Sequence, residues 1–243
     1  MSALLEVEHL EKRFGGVTAV DDCSFAVEEG TVTGLIGPNG SGKTTVFNVV
    51  TGYLPADSGG FRLDGRPIRR PDPSRLARQG LMRTFQHARV FPNLTALENL
   101  VVAAPQGWRD TGRVRVPAEL RARALELLEE FTLEGHAGTP ASELSFGQRK
   151  LLEFASILMS RPRLVLLDEP MAGVNPRLVE GIEQHIRRLH AEGLTFLVVE
   201  HDMPLVMRLC DPVIVLDRGR KIAEGEPEQI QNDPRVLDAY LGD

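Results

Sequence analysis

Gly37, Pro38, Asn39, Gly40, Ser41, Gly42, Lys43, Thr44 and Thr45 spell GPNGSGKTT, which fits the phosphate-loop pattern GxxxxGK[ST]. Glycines here let backbone N–H groups turn inward around phosphate oxygens. A helix starting at this point aims its positive dipole end at the same anion. Lys43 would reach the β- and γ-phosphates, and Thr44 would offer its hydroxyl to Mg2+. Farther along, Asp168 and Glu169 follow the apolar run at 164–167. Ligands in open α/β sheets gather at the carboxyl ends of strands. Asp168 there would hold Mg2+ through water. Glu169 would stand near the γ-phosphate, where a carboxylate orients a water or accepts its proton. The bland reading of this pair is two solvated acids in a turn, and the phosphate loop upstream favours the chemical one. Together these residues imply a nucleotide hydrolase working with Mg2+.

Such groups need a scaffold to bring them together. Residues 32–36 (VTGLI), 164–167 (LVLL), 195–199 (TFLVV) and 213–216 (VIVL) are short, apolar throughout and flanked by turns. That pattern marks parallel strands covered on both faces. The run 46–50 follows the Gly-rich loop and reads as a helix. Helical spacing recurs over 121–130, 148–159 and 178–190, the last stopping before Gly193. Alternation of strands and helices predicts a mostly parallel α/β sheet. Residues 4–7, 24–27 and 61–63 half-alternate between acidic and Gly turns, which predicts a small antiparallel sheet near the N-terminus. Residues 105–117 (PQGWRDTGRVRVP) read as a surface loop.

Composition narrows the field further. The chain has 243 residues, 42% hydrophobic and 26% charged, with a net charge of −6. That excludes a disordered tail, a collagen-like fibre and a disulfide scaffold. The two cysteines, Cys23 and Cys210, sit in no CxxC or Cys/His cluster, so a reducing compartment is the simpler setting. Acidic balance argues against duplex nucleic acid as the main partner. No signal peptide is evident, and no stretch reaches the roughly 18 apolar residues of a membrane span. The chain therefore reads as soluble and cytosolic, meeting a membrane only through another protein.

Three more segments identify a resemblance. Gln86 closes MRTFQ, Ser145 lies in LSFGQ at 144–148, and His201 opens HDM after LVVE. With GPNGSGKTT and LLDEP, in this order, they resemble the ATP-binding cassette (ABC) ATPases from about residue 5 to residue 241. The resemblance implies a P-loop NTPase core with a mostly parallel sheet, an N-terminal antiparallel β subdomain and a helical subdomain. The core lobe would take about 5–86 and 163–241, and the helical lobe about 87–162. Phe14, in KRFGG, matches the aromatic that stacks on adenine, a contact of about 1–3 kcal/mol by general stacking strength. Its other reading is a core Phe on a strand. Gln86 matches the residue joining Mg2+ or the lytic water to the helical lobe. His201 matches the histidine that contacts the γ-phosphate. Ser145, Gly147 and Gln148 match the signature that faces the nucleotide of a second cassette.

That arrangement implies a head-to-tail pair, with itself or with a paralogue, and two ATP molecules between the chains. The family's switch drives two membrane permease subunits, received around residues 86–100, where Phe91 and Leu94 are either contacts or lobe packing. Phe146 stands where the family usually has Gly, and Asn175 where Asp is common. Both, together with KRFGGVTAVDD and the tail GEPEQIQNDPRVLDAYLG, look like the ATPases of branched-chain amino-acid uptake. This implies an importer subunit at the cytoplasmic face of the membrane, served by an extracytoplasmic substrate-binding protein. The alternatives are a lipid or polysaccharide exporter ATPase, a soluble cassette acting on ribosomes or DNA, and a plain binding module. The soluble types need a second cassette or a long coiled coil, and neither fits a chain with one phosphate loop.

Overall fold

The computed structural model describes residues 2–84, 90–105 and 116–241. Along the chain run β1 (Ala3–Phe14), β2 (Val17–Glu28), β3 (Val32–Ile36), α1 (Lys43–Val50), β4 (Ser58–Leu63), β5 (Arg66–Pro67), α2 (Pro73–Arg78) and β6 (Leu81–Arg83). Next come α3 (Ala96–Ala103), α4 (Ala118–Glu130), α5 (Phe146–Leu158), β7 (Leu164–Asp168), α6 (Pro176–Ala191) and β8 (Thr195–Val199). The chain closes with α7 (Met203–Leu209), β9 (Val213–Asp217), β10 (Arg220–Gly225), α8 (Pro227–Gln231) and α9 (Pro234–Leu241).

The described residues within 2–83, 163–169 and 183–241 form one unit, and those within 84–162 and 170–182 form another. The first unit holds both sheets. One is antiparallel in the order β2-β1-β4-β5, and the other runs β10-β9-β3-β8-β7-β6. In the second sheet β9, β3, β8, β7 and β6 are mutually parallel, and β10 joins the edge antiparallel to β9. All five residues of β3, β7 and β8 are buried, as their uninterrupted apolar runs require. Helix α1 buries Val46, Phe47, Val49 and Val50 in one core with Leu5, Leu10, Val20, Leu35, Leu197 and Ile214.

The antiparallel sheet is larger than its sequence pattern announces. β1 and β2 each run for 12 residues. Alternation fails in their middles because the pairing shifts register between Val7 and Leu10 and again beyond it. His9 (φ 47°) and Asp22 (φ 52°) take the left-handed backbone at this bulge. β6 and β10 also escape periodicity. Each is an edge strand, and each carries charged residues.

The second unit is helical. α3, α4 and α5 bury Leu100, Leu127, Leu128 and Leu152, with Phe131 edge-on to Phe154 at 5.6 Å between ring centroids. α3 starts at a capping box. The Thr95 hydroxyl accepts from the Glu98 N–H, and the Glu98 carboxylate accepts from the Thr95 N–H. Buried Asn99 shapes the turn before this helix. Its side-chain carbonyl accepts from the Phe91 N–H at 2.7 Å, and its amide lies within 2.9–3.1 Å of the Phe91, Leu94 and Thr95 carbonyls. Asn99→Ala strands several of these groups and is expected to cost about 2–3 kcal/mol, read as a lower urea midpoint at unchanged m-value. The turn leaves Phe91 55% exposed, so Phe91 is not packing residue of the lobe core.

Cys23 and Cys210 are free thiols, both fully enclosed. Burial pushes their pKa up to about 11 and about 12 respectively. Among the described residues no helix is long and apolar enough to cross a membrane.

Candidate active site

The parallel sheet brings the chemistry-bearing residues to one edge. β3 runs into the phosphate loop, β7 ends on Asp168 and leads to Glu169, and β8 leads to Glu200 and His201. β8 lies between β3 and β7, so three segments distant in sequence meet at their carboxyl ends.

The loop 37–45 winds through three left-handed glycines, Gly37 (φ 148°), Gly40 (φ 80°) and Gly42 (φ 101°). Two of these approach other backbone closely. A Cβ on Gly37 would stand 2.0 Å from the Leu216 carbonyl oxygen, and one on Gly42 would stand 2.5 Å from that of Ala19. Gly42 caps α1 without a side-chain hydrogen bond, so the first N–H groups of this helix remain for an anion. Ser41 is buried within the loop, and its carbonyl accepts from the Gly219 N–H at 3.0 Å. Asn39, Gly40 and Thr44 are exposed, whereas Pro38 and Thr45 are half-buried. A cavity of about 650 Å3 borders the loop, with Asn39 and Gly40 on one side and Arg235 and Asp238 of α9 on the other.

Lys43 is buried and bonded to the loop itself. Its ammonium donates to the Gly37 carbonyl at 2.7 Å, the Pro38 carbonyl at 2.8 Å and the Ser41 hydroxyl at 3.3 Å. Burial lowers its pKa, opposed by the nearby carboxylates of Glu169 and Asp168. The ammonium is thus held by the loop's own oxygens, and the Glu169 and Asp168 carboxylates favour its charged form.

Glu169 holds a left-handed backbone, φ 48°, uncommon for a residue with a side chain. Its N–H donates to the Val199 carbonyl at 2.9 Å, extending the β7–β8 pairing past the strand end. This strained turn aims the carboxylate at His201, whose Nδ1 lies 3.5 Å from a Glu169 oxygen. Asp168 is buried, and one of its oxygens accepts from the Arg83 guanidinium at 2.6 Å.

No cluster of three or more His, Cys, Asp or Glu suited to a metal occurs among the described residues. Mg2+ needs none, since it is commonly held by one or two protein oxygens, waters and substrate phosphates. An exposed Thr44 hydroxyl and the Asp168 carboxylate fit that donor set.

Phe14 is 47% exposed at the end of β1, which removes the core-packing reading, and the Lys12 ammonium stands over its ring 5.7 Å from the centroid. Gln86 lies outside the described residues. Ser145, Gly147 and Gln148 belong to the helical unit. Ser145 caps α5 in a reciprocal box with Gln148, whose side-chain amide also meets the His136 ring nitrogen at 2.8 Å. The Ser145 hydroxyl accepts from the Gln148 N–H at 3.2 Å and keeps its own proton to donate. Phe146 is exposed beside it, and the missing side chain of Gly147 makes room for Leu178. Arg83 lies within MRTFQ, and its visible trace in the sequence is an Arg closing the short strand β6.

The chain matches the family model described as ABC transporter over residues 20–172. Residues 220–243 match the one described as branched-chain amino acid ATP-binding cassette transporter. It is 42% identical to the high-affinity branched-chain amino acid transport ATP-binding protein BraF of Pseudomonas aeruginosa, covering 99% of this chain and 98% of that one. It is similar to a solved ATP-binding cassette of an ABC transporter in its ADP conformation, with TM-score 0.89, 36% identity and full coverage of both chains. A dimeric cassette in a post-hydrolysis state bound to ADP and phosphate superposes at TM-score 0.78, with 27% identity over 92% of this chain and 98% of that one. With a phosphate loop, an acidic strand end and a histidine on one sheet edge, the chain belongs to the ATP-binding proteins of ABC transporters, in the branched-chain amino-acid group.

Proposed function

We propose that this chain hydrolyses ATP, with Mg2+, to power an importer of branched-chain or related amino acids. The observation that carries the reading is the convergence of Lys43, Asp168, Glu169 and His201 on one sheet edge beside the phosphate loop. The match of the tail to the branched-chain group supports the cargo.

Phe14 stacks on the adenine, and the 37–45 backbone with the α1 N-terminus wraps the phosphates. Thr44, Asp168 and Gln86 would hold Mg2+, which would supply positive charge against the phosphates when bound. Lys43 exchanges loop carbonyls for phosphate oxygens as ATP enters. Glu169 accepts a proton from the water that attacks the γ-phosphorus, while the bond to the ADP oxygen breaks. His201 and Lys43 stabilise the charge spread over the transferring phosphoryl group. Products are ADP and inorganic phosphate.

The exposed Ser145 hydroxyl and the α5 N-terminus serve the γ-phosphate of a second cassette, itself or a paralogue. ATP then draws two chains together head to tail, and hydrolysis releases them. Two permease subunits carry the pair at the cytoplasmic face, and an extracytoplasmic binding protein delivers the cargo. Phe91, exposed on its braced turn, is offered to a permease. Deleting the gene is expected to abolish high-affinity uptake of labelled leucine, with return on re-expression. Unchanged uptake would sink the cargo assignment, and absence of phosphate release from the assembled complex would sink the enzymatic one.

A further inference from the structure

Arg83 closes β6, and its side chain is only 6% exposed. A guanidinium is not buried without partners. One terminal nitrogen donates to the Asp168 carboxylate at 2.6 Å, and the other lies 2.7 Å from the Asn48 side-chain oxygen and 3.2 Å from the Thr51 hydroxyl. The planar group also stands over the Phe47 ring, 5.6 Å from its centroid, and over the Tyr53 ring at 5.9 Å. Asn48 and Phe47 belong to α1, and Thr51 ends it. Thr44 is the second residue of the same short helix, next to Lys43. One cation therefore ties the strand end bearing Asp168 to the helix bearing Thr44.

We propose that Arg83 is a positioning residue for the metal side of the nucleotide site. By bracing Asp168 against α1, it fixes the spacing between the Asp168 carboxylate and the Thr44 hydroxyl. The proposal rests on the reading that these two groups hold Mg2+. It extends that reading to a residue that acts through Asp168 and α1. Arginine suits the task because its planar fork spans three acceptors and stacks on rings together, which the point charge of lysine does not. Partners that orient a metal ligand typically contribute about 10–100-fold in metal affinity when removed.

The test is calorimetric titration of ADP into the purified full chain, with EDTA and over a series of Mg2+ concentrations. The variants are Arg83→Met, which removes the charge, and Arg83→Lys, which keeps Asp168 compensated and guards against unfolding. Both are expected to bind ADP in EDTA as the wild type does, because the phosphate loop is untouched. Both should need about 10–100-fold more Mg2+ to reach the tighter complex. In an Asp168→Asn background, Arg83→Met should add no further loss. A Mg2+ requirement unchanged in both variants would overturn the proposal, as would an equal loss of ADP affinity in EDTA. A wild-type chain that binds ADP with no response to Mg2+ would overturn the metal-site reading beneath it.

Discussion

Glu169→Gln is expected to lower ATP turnover by about 10²–10⁴-fold while leaving nucleotide binding intact. The amide keeps the shape of the side chain and can accept a hydrogen bond from water. It cannot take the proton that the attacking water must lose. The left-handed backbone at residue 169 and its N–H bond to the Val199 carbonyl are independent of the side-chain head group, so the turn persists in the variant. Phosphate release from the assembled transporter measures the loss. On the proposed cycle, in which hydrolysis releases a head-to-tail pair, the variant should also collect as an ATP-dependent dimer on gel filtration. Turnover at the wild-type rate would remove Glu169 from the role of base.

Gly37→Ala is expected to destabilise the fold by about 3–5 kcal/mol. Two effects add. The new Cβ would overlap the Leu216 carbonyl oxygen, 2.0 Å away, and crowd the Ser41 hydroxyl at 2.7 Å. The φ of 148° is also unfavourable to any residue with a side chain. Relief requires moving either β9 or the loop, and moving the loop withdraws the carbonyl that holds Lys43. For a chain of this size, the loss corresponds to a fall in Tm of roughly 10 °C. Gly40→Ala is the control, since its Cβ would enter open space and only the φ of 80° opposes it. A Gly37 variant melting with the Gly40 variant would show that the loop yields more easily than its contacts imply.

Local chemistry was legible in the sequence wherever it left a contiguous trace. The phosphate loop needs its glycines in order, and the central strands need unbroken apolar runs because helices and sheet cover both faces. β6 and β10 left no such trace, since edge strands tolerate Arg83, Arg220 and Lys221 among their residues. The full length of β1 and β2 was hidden by the bulge around His9 and Asp22, which breaks the two-residue period. The grip of Arg83 on Asp168 was invisible for a different reason. It spans 85 positions and depends on β6 lying next to β7, a consequence of strand order rather than of spacing. Phe14 stood open between two roles because a strand-end aromatic has the same sequence signature in either, and only its exposure separates them.

The two enclosed thiols give the chain a quiet chemical background. At neutral pH neither Cys23 nor Cys210 carries appreciable thiolate, and neither sulfur is open to a bulky reagent. Maleimide and methanethiosulfonate labels therefore pass over the native protein. A single cysteine introduced at an exposed position, such as Val17 on the β1–β2 hairpin, would be the sole site modified. Fluorescent or spin-labelled pairs of this cassette can be prepared without first engineering away its own sulfur atoms.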